Sequence, residues 1–591
     1  MPKRIAKKAA VSAKPQTVST TRTGSAQTKR GDEQPLPPVW ENWSKPLTYA
    51  LLTAAVLICL LPFSGRAFHV DDPLFVWAAQ QIAKHPLDPY GFQVVWYLSP
   101  DRMSDVTQNP PLASYYAALI GVLSGWSELS LHLGFLLPAI AVTLGTYRLA
   151  MRFTRLPFLA AVLGLLTPAT LVCAASVMCD TLMLAFGVWA INLWIDGLET
   201  KSASRLFAAG LLLTASILTK YFAAAFIPLL LVYSVLRERR LGNWAWYLLI
   251  PIGGMLGYEF WTQHLYGRGL ISGAASYAST IRTNQGASTL GRTWGALSFL
   301  GGCMLSALTF VPMLWRRRTI VIGAVIVAIN GFGVAWANFG VKPDLEDHWI
   351  IIGIQLTLFI GGGVSLFGLV VQDVRRRRDP DAVFLLLWVL GTFVFAGFVN
   401  WTTNVRSVLP VIPAAAIILA RRLETVTWDR KGTTSVAIAL AAAAIPALWV
   451  AAGDAALANA GRQAAMLINQ KVGKSGTLWF EGHWGFQYYM EALGGHPVDA
   501  ENPHMSGGDY VAIASNNVVL RQEPAPASVS AREVIEIDLP LHVTTIERDM
   551  AAGFYSSSWG PLPFSFGPVA PERYDLFKLA SRRKNPDKSA P

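Results

Sequence analysis

The sequence predicts an α-helical polytopic membrane protein of about 13 spans with a small C-terminal extracytoplasmic α/β domain. Three observations predict it. The 591 residues are 53% hydrophobic and only 15% charged, whereas soluble domains carry about 25% charged residues. Apolar runs near the ~20 residues that a membrane-crossing helix needs recur between residues 46 and 452. Arginine and lysine collect in alternate loops between those runs. Such a composition excludes a single soluble globule, a wholly disordered chain and a disulfide-rich mini-domain.

Residues 1–45 hold nine Lys/Arg against three Asp/Glu, a charge of +6, which is half of the net +12. This Ser/Thr/Pro/Gln-rich stretch reads as a disordered basic cytoplasmic tail. It is too long and polar for the n-region of a cleaved secretory signal. Nucleic-acid binding is the other common use of such a tail, and the membrane entry that follows argues against it.

The multi-span domain is expected over 46–452. Its candidate spans are 46–64, 156–177, 181–197, 205–219, 221–236, 243–262, 293–314, 319–339, 348–372, 382–400, 407–420 and 433–452. The stretch 112–147 holds two apolar runs broken by Ser124–Ser130. The basic loops are Arg148/Arg152/Arg155, Arg237/Arg239/Arg240, Arg316–Arg318, Arg375–Arg378 and Arg421/Arg422/Arg430/Lys431. All five fall on the cytoplasmic side if 112–147 crosses only once, one of its runs being a short or lateral helix. The N-terminus is then inside and the C-terminus outside. Segments 65–111, 178–180, 263–292, 340–347, 401–406 and 453–591 lie outside. The Ala/Arg-rich apolar composition and the lack of an organelle signal point to a bacterial inner membrane.

In the tail 453–591, residues 476–481 and 510–514 read as strands and 484–493 as a helix between them. The four cysteines, Cys59, Cys173, Cys179 and Cys303, all precede the tail, so no disulfide staples it. Cys173 and Cys179 read as packing residues. Every histidine except His132 falls at or beyond the outer boundary. No HExxH, CxxC or phosphate-binding GxxxxGK[ST] occurs, which argues against a zinc enzyme and an ATP-driven transporter.

The residues that can carry chemistry cluster on the outer side. Asp71 and Asp72 follow the first span. An acidic pair there can act as general base for a hydroxyl or amine acceptor, or hold a divalent cation. The plain alternative is a solvated turn, since Asp before Pro73 favours one. Asp180 stands between two apolar runs, where a carboxylate needs a partner or a cavity. It also suits the start of a helix. Lys220 reads as snorkelling or as a phosphate ligand. His264, Arg268, Arg282 and Arg292 in the loop 263–292, with Lys84, His85 and Arg102 in the first loop, can form an anion site or be ordinary loop charge. Glu481, His483 and Trp484 suit sugar contact or a core edge.

The order of short motifs resembles the GT-C superfamily of polytopic glycosyltransferases, nearest to the protein O-mannosyltransferase, or glycosyltransferase family 39, branch that includes aminoarabinose transferases. The resemblance covers roughly 46–450. It rests on His69-Val-Asp-Asp-Pro73, Asn109-Pro-Pro111, Asp180, Leu218-Thr-Lys-Tyr221 and Arg406-Ser-Val-Leu-Pro410-Val-Ile-Pro413. It implies a GT-C-like fold and transfer of a sugar from a polyprenyl-phosphate donor to a lipid, glycan or protein acceptor outside the membrane. It further implies Asp71 as base, with Asp72 standing where the family more often has Glu. Asp180 matches the second-loop acid, and Lys220, His264 and Arg268 would hold the lipid phosphate. Arg406 precedes Ser407, where the family commonly has Tyr. No cofactor is implied beyond that possible cation. A prenyl phosphate leaves readily once cations neutralise it, and in-line attack from the opposite face inverts the anomeric carbon. The alternatives are a multi-span transporter or flippase, an inactive relative acting through its tail, and, within the enzymes, an O-antigen ligase or polymerase type.

Overall fold

The computed structural model describes residues 36–284, 288–340, 348–517 and 523–581. The expected disordered stretch up to residue 35 and most of the expected turn 340–347 lie outside them. Within 36–45, read from sequence as the end of the disordered tail, Trp40, Glu41 and Trp43 contact the bundle. Glu41 accepts hydrogen bonds from the Phe158 and Leu159 amides at 2.8 and 3.0 Å, which supplies acceptors to the open amides of a helix start. Trp40 and Trp43 meet Trp428 and Phe158 edge-on.

Among the described residues, eight helices are long and apolar enough to cross a membrane, from Lys45–Phe63 to Arg430–Val472. The run 156–177 is a pair of helices, Pro157–Leu165 and Pro168–Ala174, bent by 64°. Pro168 lacks the amide that would continue the first helix, and Thr167 caps the second through its side chain. Two apolar helices, Leu112–Ser124 and Ala203–Thr219, are shorter than a full span. Leu112–Ser124 is the shorter of the two runs anticipated in 112–147, and Glu128–Phe153 is the long one. The run 293–314 also breaks, after Thr289–Cys303. That helix lies so close to Trp349–Arg377 that a Cβ on Gly301 would stand 1.8 Å from the Phe359 carbonyl oxygen. Only glycine permits this approach.

The basic loops converge at one end of the bundle. Arg148 pairs with Asp196, and Arg152 and Arg237 share Glu199. Arg377 and Arg421 share Asp373, and Arg422 reaches the Leu314 carbonyl just before Arg316. The opposite end carries the first loop and the C-terminal region. That loop comprises the helix Asp72–Lys84, a hairpin pairing Gln93–Val95 with Pro100–Arg102, and the short helix Met103–Val106. His132 belongs to this end as well, contrary to its expected place: its ring stacks on Phe68 at 5.8 Å.

The last long helix, Arg430–Val472, has 43 residues and runs about 64 Å at 1.5 Å per residue. It passes through residue 452, where the sequence suggests a boundary, and delivers the chain to a five-stranded mixed sheet. Across that sheet lie His496–Pro497, Leu478–Glu481, Tyr510–Ala514, Glu572–Leu579 and Val529–Ile537. The expected strands and the helix, observed at Trp484–Ala492, are all in place. The first two pairings are parallel and the last two antiparallel.

A buried network joins sheet region to first loop. Arg66 donates to Asp454 at 2.8 Å, with both side chains at most 1% exposed. Asp454 also accepts from Thr545 at 2.6 Å and from the Tyr555 hydroxyl at 3.1 Å. His69 Nε2 lies 4.0 Å from the same carboxylate. Removing one member of a buried pair leaves the other charged and unsolvated, which costs about 3–5 kcal/mol. Asp454→Ala is therefore expected to lower the melting temperature sharply in detergent, whereas a surface change such as Glu533→Ala leaves it in place.

Burial first, and then the neighbouring Arg66 cation, push the His69 imidazole down from 6.5 to about 4, against the pull of Asp454. The unfolded chain thus binds the extra proton between pH 4 and 6.5, so His69 contributes stability that falls as pH drops through this window. In thermal melts from pH 7.5 to 4, the difference between wild type and His69→Gln should shrink toward the acid end. A difference that is flat across the range contradicts this.

Candidate active site

Four consecutive residues after the bent helix pair gather the motifs. The Val177 amide donates to Asp72 Oδ1 at 2.9 Å. Met178 Sδ lies 3.2 Å from Arg406 Nη1. The Cys179 thiol donates to Asn109 Oδ1 at 3.7 Å. Asp180 forms an ion pair with Lys220. The turn Val177–Asp180 is thus the point at which the acidic pair, the Asn-Pro-Pro segment, Lys220 and Arg406 meet.

The three carboxylates sit in different environments. Asp72 is fully buried. Its second oxygen accepts the His69 amide at 2.9 Å, so both oxygens are committed to backbone. Burial pushes it up to about 7, although Arg66 and the two amides pull the other way. It ties the first loop to the turn and offers no free edge to a substrate. Asp180 is buried in the first turn of Cys179–Thr200. It fixes Lys220, which follows the end of Ala203–Thr219 and keeps 17% of its side chain exposed.

Asp71 is the accessible one, with 24% of its side chain exposed. It stands at the N-cap of Asp72–Lys84, directly after Val70, whose φ of 48° is a left-handed conformation that a β-branched residue adopts only when its surroundings impose it. Asp72 on the His69 amide and the Tyr489 hydroxyl on the Phe68 amide at 2.9 Å impose it here. Arg406 donates to Asp71 Oδ2 at 2.7 Å. Burial raises the Tyr97 and Tyr277 hydroxyls, and the nearby Asp71 charge raises both further.

Other sequence candidates are held elsewhere. Lys84 is exposed at the far end of its helix, twelve residues and about 18 Å from Asp72. His264 is exposed in the last turn of Leu249–Tyr266. Arg268 is tied to Asp105 at 3.0 Å and to the Ser104 carbonyl at 2.7 Å. Arg282 donates to the Gly397 and Asn400 carbonyls, and burial together with Arg292 lowers it to about 10. None of these contacts reaches the Asp71 cluster. Arg406 does reach it, as the partner of Asp71 rather than as a free anion ligand. Residues that sequence reasoning passed over are Arg66, Asp454, Met178 and Tyr555. A lone aspartate in the apolar stretch 433–461 was the available signal for Asp454.

Within the acidic pair, Asp72 accepts two backbone amides and Asp71 pairs with Arg406. Among the described residues no group of three or more His, Cys, Asp or Glu is placed to hold a metal ion. Beside the cluster runs an open apolar groove of about 350 Å³. It is walled by Pro111, Leu112, Tyr115, Leu218, Gly254, Gly257, Tyr258 and Trp261. Leu218 and Pro111 in its wall stand two residues from Lys220 and Asn109 in the chain.

A family model described as dolichyl-phosphate-mannose-protein mannosyltransferase matches residues 108–256. No curated protein matches the chain. Several solved structures are similar at low identity. The archaeal oligosaccharyltransferase AglB from Archaeoglobus fulgidus, in complex with an inhibitory peptide and a dolichol-phosphate, is 13% identical with a TM-score of 0.47, over 80% of this chain and 70% of that one. ArnT from Cupriavidus metallidurans bound to undecaprenyl phosphate is 15% identical with a TM-score of 0.41, over 80% and 94%. The mycobacterial arabinofuranosyltransferase AftD is 13% identical with a TM-score of 0.42, over 91% and 40%. The stretch that holds the Asn-Pro-Pro segment, Asp180 and Lys220 therefore carries the sequence pattern of the dolichyl-phosphate-mannose-protein mannosyltransferases, and over those residues the chain resembles the GT-C glycosyltransferases.

Proposed function

We propose that the protein is a membrane glycosyltransferase that moves a sugar from a polyprenyl-phosphate donor to a lipid, glycan or protein acceptor at the end of the bundle opposite the basic loops. The observation that carries this reading is the arrangement around Val177–Asp180. One accessible carboxylate, Asp71, and one partly accessible ammonium, Lys220, are held by separate buried partners beside an open apolar groove. A base, a phosphate ligand and a channel for a prenyl tail are the three parts such a transfer requires.

In this reading the tail lies in the groove and the phosphate meets Lys220. The acceptor hydroxyl or amine attacks the anomeric carbon from the face opposite the phosphate, and its proton passes to Asp71. The bond between the anomeric carbon and the phosphate oxygen breaks, prenyl phosphate leaves with the electron pair, and the anomeric configuration inverts. Lys220 neutralises the charge that develops on the leaving group. Asp180 holds Lys220 in place, and Arg406 holds Asp71. Because the basic loops gather at the other end, the positive-inside rule assigns that end to the cytoplasm and the site to the outer side.

Proteoliposomes supplied with radiolabelled polyprenyl-phosphate sugars test this directly. Wild type should release free polyprenyl phosphate. Asp71→Asn should lose about 10²–10⁴-fold in rate, the range of a removed general base. Lys220→Ala should lose about 10²–10³-fold, the cost of one preorganised charge. An Asp71→Asn enzyme with undiminished transfer sinks the assignment.

The groove has its own test. A Cβ on Gly257 would meet nothing within 4 Å, so Gly257→Phe adds bulk to open space without straining the helix. Donor KM should rise about tenfold while kcat holds, the signature of lost uniform binding. An unchanged KM for a long-chain donor places the tail elsewhere.

A further inference from the structure

The C-terminal region bears directly on the reactive cluster. Its segment Phe554–Ser557 is stitched to the loop that presents Arg406. The Val405 amide donates to the Phe554 carbonyl at 2.9 Å, and the Ser557 amide to the Thr403 carbonyl at 2.8 Å. The Thr402 hydroxyl lies 3.0 Å from the hydroxyls of both Ser556 and Ser557. Between these bonds stands Tyr555. Its ring centroid is 5.6 Å from the Arg406 guanidinium carbon. Its hydroxyl reaches both oxygens of Asp454 at 3.1 Å, and the His69 ring abuts it edge-on at 5.7 Å.

Arg406 needs such a support. Asp71 and Met178 both meet it at Nη1, and Nε is buried without a hydrogen-bond partner among the described residues. A guanidinium held mainly through one terminal nitrogen can pivot about it. The face of an aromatic ring removes that freedom while attracting the cation. The ring itself is held from its own backbone, since Phe554 and Ser557 on either side are bonded to the Arg406 loop and His69 abuts it edge-on.

We infer that Tyr555 is a positioning residue of the transfer reaction: it fixes the plane of Arg406, and through Arg406 the carboxylate of Asp71. The C-terminal region is thus a working part of the active site and not only a cover or an acceptor platform. This rests on the glycosyl-transfer reading for its kinetic consequence, but not for its geometric one.

Two variants separate the ring from the hydroxyl. Tyr555→Phe keeps the ring and loses the bond to Asp454. Tyr555→Met keeps most of the volume and loses the ring. Misplacement of a reacting group by about 1 Å costs up to about 10²-fold in rate. Tyr555→Met is therefore expected to lose about 10–100-fold in kcat, with donor KM within about twofold. Tyr555→Phe should recover most of the rate. Arginine modification by phenylglyoxal, mapped by peptide mass spectrometry, gives a readout free of turnover. Arg406 should be protected in wild type and Tyr555→Phe and become reactive in Tyr555→Met, while Arg66 stays protected in all three.

Equal rate loss in both variants, in step with their melting temperatures, makes Tyr555 merely structural and overturns the inference. So does Arg406 protection that is unchanged in Tyr555→Met. If Tyr555→Met does not fold, a Tyr555→Phe enzyme that has lost more than about tenfold in kcat still overturns it. If wild type transfers no sugar, the glycosyltransferase reading fails, and the modification pattern alone decides the contact.

Discussion

The buried pair of Arg66 and Asp454 is the constraint on which the rest of the outer end depends. Two opposite charges taken out of water are stable only together and only with further hydrogen bonds. Thr545 and Tyr555 provide those bonds to Asp454. The pair therefore joins four stretches of chain: the exit of the first span, the last long helix, and two turns of the C-terminal region. Three of them carry something the candidate site uses. The first leads within five residues to Asp71, the helix anchors the sheet region, and the turn at Tyr555 backs Arg406. Continuum reasoning gives such a pair little net stability over a well-packed apolar replacement. Its effect is to permit one arrangement and penalise the others.

The candidate site follows a division of labour between carboxylates that sit near one another yet differ in access. Asp72 spends both oxygens on amides and so shapes the turn. Asp180 spends its charge on Lys220. Asp71 alone keeps an exposed edge, and its partner approaches from one side only. Adjacent residues reach these different fates because Asp72 begins a helix while Asp71 stands at its N-cap, and the left-handed Val70 turns the chain just before them.

Much of this was legible in the sequence. The acidic pair, Asp180 and Lys220 each stood out locally, since charge beside an apolar run demands an explanation, and Asn109 stood out as the start of Asn-Pro-Pro. Their meeting at one turn follows the order of the motifs. The strands at 478–481 and 510–514 and the helix between them were legible from alternation and composition. Three features were not. The bend at Pro168 hides inside an apolar run that reads as one span. The partnership of Arg406 with Asp71 spans 335 residues, and no local pattern encodes it. Tyr555 lies in a stretch of Gly, Ser, Pro and aromatic residues whose shape is fixed by what it packs against. Arg268 and Arg282 are held by partners outside the cluster, and Lys84 and His264 are exposed away from it: charge on one side of a chain does not by itself say which groups meet.

The separation of Arg66 from Asp454 along the chain has a consequence for biogenesis. The two partners lie 388 residues apart. At ~5–20 residues per second, the ribosome makes the second roughly 20–80 s after the first. Throughout that interval the first loop carries Arg66 and His69 without their partner Asp454, while span after span is inserted. The candidate site is therefore the last part of the molecule to gain all of its contacts. A chain that stalls or is clipped before Tyr555 has the membrane-length helices already made and lacks the residue that backs Arg406.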